Sequence, residues 1–587
     1  MRVSELQVFD VVLSNLQRIR TKTLGVQDRI SSQKKVTRPS DDPAPFGQIV
    51  ADKAGLAVND QRVRNIRYGT SRLEAADQTL GSVTTSLNRI KELAVQLRDD
   101  ANSASDRATG AQEARQIFEQ LRQLANTEVG GQALFAGTGS HGRATGVAIT
   151  VPLTVTGGSN DTLTVSVDGT TSGTITLTAG AYATGAALAT QVQTQINADA
   201  TLTAAGKSVT VTYDTDHLVI TSNTAGPLST ATVTGGLGLT DLGFNGGSTT
   251  TGAAPFALRA VTSRDSGNTG GARIGQGVVR DANAATLSDY VIKFSSATVF
   301  SVYDVSAPVT VAADDANTGG AVKADAGVAD PEAVTLDSFE IEFTSDTQYT
   351  ITNTTTSAVV SAGNTYTSGS DIDFEGLRVV LKDGPGGVPK SGDKFTIAPD
   401  FRTVLASQSY TSGSAITFEG LQVAITTGSA APAADDIFRI QTGVEYQGTS
   451  GLQAIEVGDN QTVKTNLPGN QVFTGATIDL FASVKQMVAA LNGNYGGGIE
   501  QGNADAETAI SQVVEAQGEI GALTNRLDTT NGNLEEFRIL LAKSLSDNQD
   551  TDLVQAISEL QQQQLALQAT AQIASMIFET SLLQFLR

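Results

Sequence analysis

Residues 9–30 read FDVVLSNLQRIRTKTLGVQDRI, and their spacing decides what kind of chain this is. Phe9, Val12, Leu16, Ile19, Val26 and Ile30 recur at alternating steps of three and four, with Thr23 in the remaining core position. That spacing lines one side of an α-helix with a heptad stripe, the pattern of a coiled-coil seam. An isolated helix of this length is marginal in water, so the stripe needs a partner that covers it.

The far end of the sequence carries the same pattern. Ile520, Leu523, Leu527, Leu534, Phe537 and Leu541 keep heptad phase, with Thr530 interposed, until SLSDNQDTD (544–552) interrupts the stripe. It restarts with Leu553, Ile557, Leu560, Leu567, Ala571, Ala574, Phe578 and Phe585. Between the ends, a second N-terminal helix is marked by Leu73, Ala76, Leu80, Val83, Leu87, Ile90, Ala94 and Leu97. A third is centred on Ile117, Leu121 and Leu124, with Ser103 or Ser105 placed to cap it.

From about residue 137 the composition turns to Gly, Thr and Ser, and the period falls to two. TLTVSVDG (162–169), GTITLTAG (173–180), SVTVTYDTDHLVITS (208–222) and FEIEFTSDTQYTIT (339–352) read as short strands separated by turns. One helical insert, GAALATQVQTQINAD (185–199), sits among them. The centre also repeats itself. YTSGSDIDFEGLRVVL at 366 returns as YTSGSAITFEGLQVAI at 410, and DYVIKFSSATVF at 289 is echoed by SFEIEFTSDTQY at 338. Asp393, Phe395 and Ile397 find counterparts in Asp436, Phe438 and Ile440. Duplicated β-modules account for this, and too few copies are visible for a propeller.

The expected fold class is α+β, with long coiled-coil-type helices from both termini packed together and an inserted multi-module β-rich middle. The expected segments are an inner-core helix at 1–37 and helical rod at 38–138, then a β-rich module with a short helix at 139–250. Repeated outer modules follow at 251–470, rod again at 471–547, and a C-terminal inner-core helix at 548–587.

Composition narrows the function. A formal net charge of −22 argues against nucleic acid and anionic membranes, whose phosphates demand clustered Lys and Arg. The chain has no Cys, which removes disulfides, thiolate metal sites and cysteine nucleophiles together. No stretch approaches the roughly 18–20 apolar residues that a membrane span needs. Glu5 and Asp10 stand where a cleaved signal peptide would carry no acid.

Candidate chemistry is sparse. RPSDDPAP (38–45) sets Asp41 and Asp42 between Pro39 and Pro43. Pro39 turns Arg38 away from helix, Ser40, Asp41 or Asp42 can act as N-cap, and Pro43 suits the first helical position. The octapeptide reads as a joint between helices, with carboxylates at the positive end of a helix dipole. The only histidines are His141 and His217, and Asp214, Asp216 and His217 read as a polar hairpin turn. Asp314 and Asp315 lack the ladder of a calcium loop. No phosphate-binding glycine motif is present. No catalytic, cofactor or metal residue is assigned, and the chain is expected not to be an enzyme.

At its ends the sequence resembles the flagellin superfamily. The resemblance runs through DRISSQKKVTRPSDDPAPF (28–46), AVNDQRVRNI (57–66), LGSVTTSLNRIKELAVQ (80–96) and GGQALFAGT (130–138). It resumes through IGALTNRLDTTNGNLEEF (520–537), SLSDNQDTDLVQAISELQQQQLALQAT (544–570) and SLLQFL (581–586). PSDDP and ALFAGT are similar to the branch whose members join the flagellar hook to the filament. SNDTLTVSVDGTTSGTITL (159–177) and the YTSG repeats resemble modules that decorate such proteins. Gln33 departs from the family, which usually has Gly in this turn.

The resemblance implies an extracellular structural subunit of the bacterial flagellum, with its terminal helices lining an inner tube and its β-rich centre displayed. Its implied partners are copies of itself, another hook-associated protein and flagellin as axial neighbours, and an export chaperone shielding Leu553, Ile557, Leu560, Leu567 and Phe578. Export would run unfolded and uncleaved through the flagellar type III apparatus. Both ends are expected to order only when neighbouring subunits cover them. Flagellin itself, or a surface adhesin with a helical stalk, are the alternatives.

Overall fold

The computed structural model describes residues 2–585, apart from residues 100, 140, 147–148, 150, 215, 226–228, 245–247, 251–253, 282–283 and 476. Nine helices are found among the described residues: α1 (Arg2–Ser32), α2 (Pro43–Leu97), α3 (Ala104–Ala125), α4 (Gly185–Asn197), α5 (Ala200–Ala204), α6 (Gly469–Val472), α7 (Leu480–Asn492), α8 (Gly496–Gln549) and α9 (Leu553–Phe585). All but α4, α5 and α6 lie in the expected helical ends, and a strand-rich middle separates them. The chain divides into two compact units. A terminal unit holds Met1–Thr70, Ile455–Val463 and Asn525–Arg587, and a central unit holds Ser71–Ala454 and Lys464–Thr524.

In the terminal unit, α1 packs along α9. The first part of α2 packs along the last part of α8, where the Asn59 amide donates to the Leu534 carbonyl at 2.7 Å and the Ser544 hydroxyl donates to Asp52 at 2.8 Å. Gly55 permits the approach, since a Cβ there would stand 3.1 Å from Leu541.

In the central unit, the stripe of α2 that reads Leu73, Ala76, Leu80, Val83, Leu87, Ile90, Ala94 and Leu97 is buried throughout. Helix α3 supplies Ile117, Phe118 and Leu121, and Ser103 caps it in a reciprocal box with Asp106. The last turn of α2 leaves carbonyls without helical partners. Buried Arg107 closes them, donating to Leu97 at 2.8 Å, to Arg98 and Asp99, and across to Asn494 Oδ1 at 2.7 Å. An aromatic cluster joins the helices to the sheets: Phe256 lies 5.0 Å from Tyr446 and from Phe473, and Phe135 of ALFAGT lies 5.1 Å from Phe473. Gly137 of the same motif has φ +70°, and a Cβ there would collide with the Thr449 carbonyl oxygen.

A separate hydrophobic core lies within residues 144–244. Leu163, Val165 and Val167 meet Leu188, Val192 and Ile196 of α4 and Leu218 and Ile220 of the strand His217–Ala225. Asp214 and His217 pair with each other across two antiparallel strands. His141 pairs with Ala225 at the opposite end of that strand from His217, so the two histidines share no site.

The YTSG…FEGL stretches form hairpins, Asp371–Phe374 with Leu377–Asp383 and Ala415–Phe418 with Leu421–Thr426, in smaller sheets of their own, and around the repeats lie two five-stranded antiparallel sheets. In chain order the strands are β1 (Phe256–Arg264), β2 (Tyr290–Ser296), β3 (Val299–Asp304), β4 (Val309–Ala313), β5 (Phe339–Ser345), β6 (Gln348–Asn353), β7 (Ala358–Thr365), β8 (Lys394–Pro399), β9 (Arg402–Ser409) and β10 (Ile437–Tyr446). One sheet has the order β1-β10-β2-β3-β9 and the other β4-β8-β5-β6-β7. Both FEGL motifs are hairpin turns, with Glu375 and Gly376 at φ 45° and 75° and Glu419 and Gly420 at 41° and 75°. Two successive positive φ values match the right-handed twist of the flanking strands.

Phe118 is fully buried and packs edge-on against Phe481 at 5.7 Å. Phe118→Ala is expected to lower the opening free energy of α3 by about 3–5 kcal/mol, against about 0.5 or less for Val95→Ala at an exposed position. Amide hydrogen exchange in α3 measures both.

Candidate assembly surface and helix joint

The break between α1 and α2 and the break between α8 and α9 face each other. Lys34 bridges Asp550, the Lys35 N–H donates to the Gln549 carbonyl at 2.7 Å, and the Thr551 N–H donates to the Gln33 carbonyl at 2.9 Å. The Lys35 ammonium also donates to the Asp547 carbonyl. Gln33 sits at φ 58°, so the left-handed turn expected of a glycine is made here without one. On the C-terminal side helix persists through SLSDNQ, and only Asp550–Asp552 break it. Asp552 Oδ1 then accepts the N–H groups of Val554 and Gln555 at 2.9 and 3.1 Å, which caps α9.

In RPSDDPAP the two carboxylates part company. The Asp41 N–H donates to the Arg38 carbonyl, closing a turn with Pro39 and Ser40 at its centre. Asp41 Oδ2 reaches backwards, accepting the N–H groups of Thr37 and Arg38, each at 2.9 Å, and the Thr37 hydroxyl at 3.1 Å. The Thr37 and Arg38 N–H groups hold its carboxyl below the usual range. Asp42 stands at the start of α2, its carbonyl accepting the Phe46 N–H, and Pro43 is the first helical residue. Asp41 therefore ties down the incoming loop and leaves the helix start to Asp42.

The proposed seam residues divide into groups. On α1, Val26 is buried, Thr23 nearly so, and Val12, Leu16, Ile19 and Ile30 are half-buried along α9. Arg29 pairs with Glu559 at 3.0 Å, an exposed pair that adds little. On α9, Leu560, Leu567 and Ala574 are half-buried, whereas Leu553, Ile557 and Ala571 are exposed. Ala556, outside the heptad reading, is buried in their place. The side chains of Phe9, Phe578 and Phe585 lie outside the described residues. The stripe on α1 is thus spent on the other end of the same chain.

What remains, among the described residues, is an exposed apolar surface. Val554, Leu565 and Ile573 are exposed by 54–80% on α9, as are Phe537, Ile539 and Leu540 by 50–63% on α8. At 100° per residue, Val554 and Leu565 point away from Ala556, Leu560 and Leu567. Fifteen of the twenty-two exposed large apolar side chains among the described residues fall in the terminal unit, which has 142 of the 587 residues. The 33-residue α9 holds two ionisable side chains, Glu559 and Glu579. A heptad reading looks for one stripe and passes over the second; the scarcity of charge on α9 is the signal that could have found it.

Both ends of the chain match known helical families. Residues 3–140 match the bacterial flagellin N-terminal helical region, and residues 504–586 match the bacterial flagellin C-terminal helical region. Flagellar hook-associated protein 3 of Salmonella typhimurium is 30% identical over 138 residues, 23% of this chain and 44% of that protein. Its Escherichia coli namesake is 28% identical over 138 residues, with the same shares. A flagellin of Halalkalibacterium halodurans is 30% identical over 100 residues, 17% of this chain and 37% of that protein. Alignment to these hook-associated relatives thus spans less than half of their length. Among solved structures, FlgL of Xanthomonas campestris aligns at 17% identity over 84% of this chain and 99% of that chain, with a TM-score of 0.29.

Two outcomes test the joint. The fold lowers the Asp41 pKa, so its tether is complete above the ordinary carboxylate value of 3.8 and is lost as pH falls through the folded value. Amide exchange at Thr37 and Arg38 should quicken on acidification, and Asp41→Asn should quicken it at neutral pH. Gln33→Gly relieves a left-handed side chain and should slow exchange at Thr551 by several-fold, about 0.5–1 kcal/mol.

Proposed function

We propose that this protein, whose two ends match the flagellin N-terminal and C-terminal helical regions, is a structural subunit of the bacterial flagellum, built into the junction between hook and filament. The observation that carries the reading is the exposed apolar surface of the terminal unit. The α1 and α9 seams cover each other, so the faces left bare are free for neighbours. Those neighbours are copies of the same chain within a layer, with another hook-associated protein and flagellin above and below. The role is mechanical and needs no turnover.

The subunit leaves the cell uncleaved through the flagellar type III apparatus, and a chaperone covers α9 beforehand. Absence of cysteine suits passage as an unfolded chain. Within the chain, residues 1–37 and 548–587 form the innermost layer of the proposed assembly and residues 139–470 its displayed part. Flagellin is the second reading, favoured by the flagellin among the relatives. Immunolabelling of residues 140–470 on intact cells separates the two: a single collar at the filament base supports the junction, and label along the whole filament replaces it with flagellin.

Leu540→Lys combined with Leu565→Lys should leave helix content by circular dichroism unchanged, because both side chains are exposed. Burying two ammonium groups between subunits is costly, so the variant should be shed into the medium as monomer and motility should be lost. Normal incorporation would refute the assignment of this surface.

A further inference from the structure

The two sheets of residues 256–446 agree beyond their strand order. Tyr290 pairs with Ile440 as Phe339 pairs with Ile397, and both second hairpins carry a register shift, at Ser296 and at Ser345. Asp436 accepts the N–H groups of Thr269, Gly270 and Ala433; Asp393 accepts those of Thr318, Gly319 and Lys390. Asn268 exchanges hydrogen bonds with the Ile437 backbone as Asn317 does with that of Lys394. The repeat therefore extends upstream to an NTGGA segment, at 268–272 and 317–321, that precedes both sheets' hairpins.

The copies are not in tandem. In the second, β6 and β7 are joined by a short turn at Thr354–Ser357. In the first, the equivalent strands β3 and β9 are separated by residues 305–401, which are the whole second copy. Asp304 and Arg402 face each other in register at that opening. The Arg402 guanidinium closes it, binding Asp304 Oδ2 at 2.8 Å and Glu419 Oε1 at 2.6 Å, and Glu419 in turn accepts the Tyr290 hydroxyl at 2.6 Å.

The outer faces of the sheets differ as such nesting requires. On the first, Val291 is 1% exposed and packs with Ile437 in the core of the second copy, while Arg439 donates to the Val334 carbonyl. Glu340 and Lys394 hold the equivalent positions on the second sheet and pair with each other at 2.8 Å on a partly exposed surface. At these two positions, apolar Val291 and Ile437 stand where a copy sits on top and charged Glu340 and Lys394 stand where none does.

We infer that residues 305–401 are a complete second copy of the module, inserted at a hairpin tip of the first and docked on its outer face. The same tip in the second copy, Thr354–Ser357, is an unused point of insertion. The test replaces residues 305–401 of the full chain by the Thr354–Ser357 turn, together with Val291→Glu and Ile437→Lys. Amide protection in β2, β3 and β10 should stay within about tenfold of the parent. Collapse of that protection overturns the nesting. The readout stays on these strands because the deletion also removes Asp325, which binds the first N–H groups of α8. Without the two surface substitutions the shortened chain should bind more apolar dye than both the parent and the substituted chain; binding no greater than theirs overturns the docking. In the intact chain, a flexible Gly/Ser segment of roughly twenty residues between Thr355 and Thr356 should leave β5, β6 and β8 protected, since lengthening a loop costs little. Loss of that protection overturns the second insertion point.

Discussion

The pairing of the first helix with the last is the contact on which the rest of the molecule depends. It joins residues more than five hundred positions apart, as Arg29 and Glu559 show, and so turns everything between them into one long insertion. Neither helix carries enough apolar surface on a single stripe to stand alone. Each covers the other along that stripe, and each keeps apolar residues on a different face. A chain built this way pairs its own ends and still leaves apolar residues exposed.

The joint extends the same economy. Two breaks, one in each helical strand, meet through backbone hydrogen bonds from Lys35 to Gln549 and from Thr551 to Gln33. Broken helices expose unpaired N–H and C=O groups, and here each break supplies part of what the other lacks. Asp41 and Asp552 satisfy further N–H groups locally, which is why carboxylates gather at the breaks. Acidic residues in such positions are accounted for by backbone donors.

Farther along the chain, growth proceeds by insertion into hairpins. A hairpin tip lies on the surface and carries few contacts, so the strands beside it can part company in sequence while remaining paired in space. Arg402 shows what this requires physically, because the opened hairpin is held shut by one guanidinium shared between Asp304 and Glu419. The covered face of the first copy and the charged face of the second record which one carries the load.

The sequence by itself determined the element types and the buried stripe of α2, because these are local periodicities of apolar residues, and it carried the repeats as recurring residue strings. Gln33 at a left-handed position, Arg107 closing the end of α2 and Ala556 replacing Ile557 in the buried face were illegible, since each depends on a backbone or helix distant in sequence. The repeats were readable as copies but not as one copy inside another: nesting is a statement about which strands pair across residues 305–401, and pairing is fixed by tertiary hydrogen bonds. Likewise the heptad stripe announced that α1 needs a partner, but only the packed structure decided that α9 of the same chain takes that place and that the opposite faces stay bare, because one stripe can be buried only once.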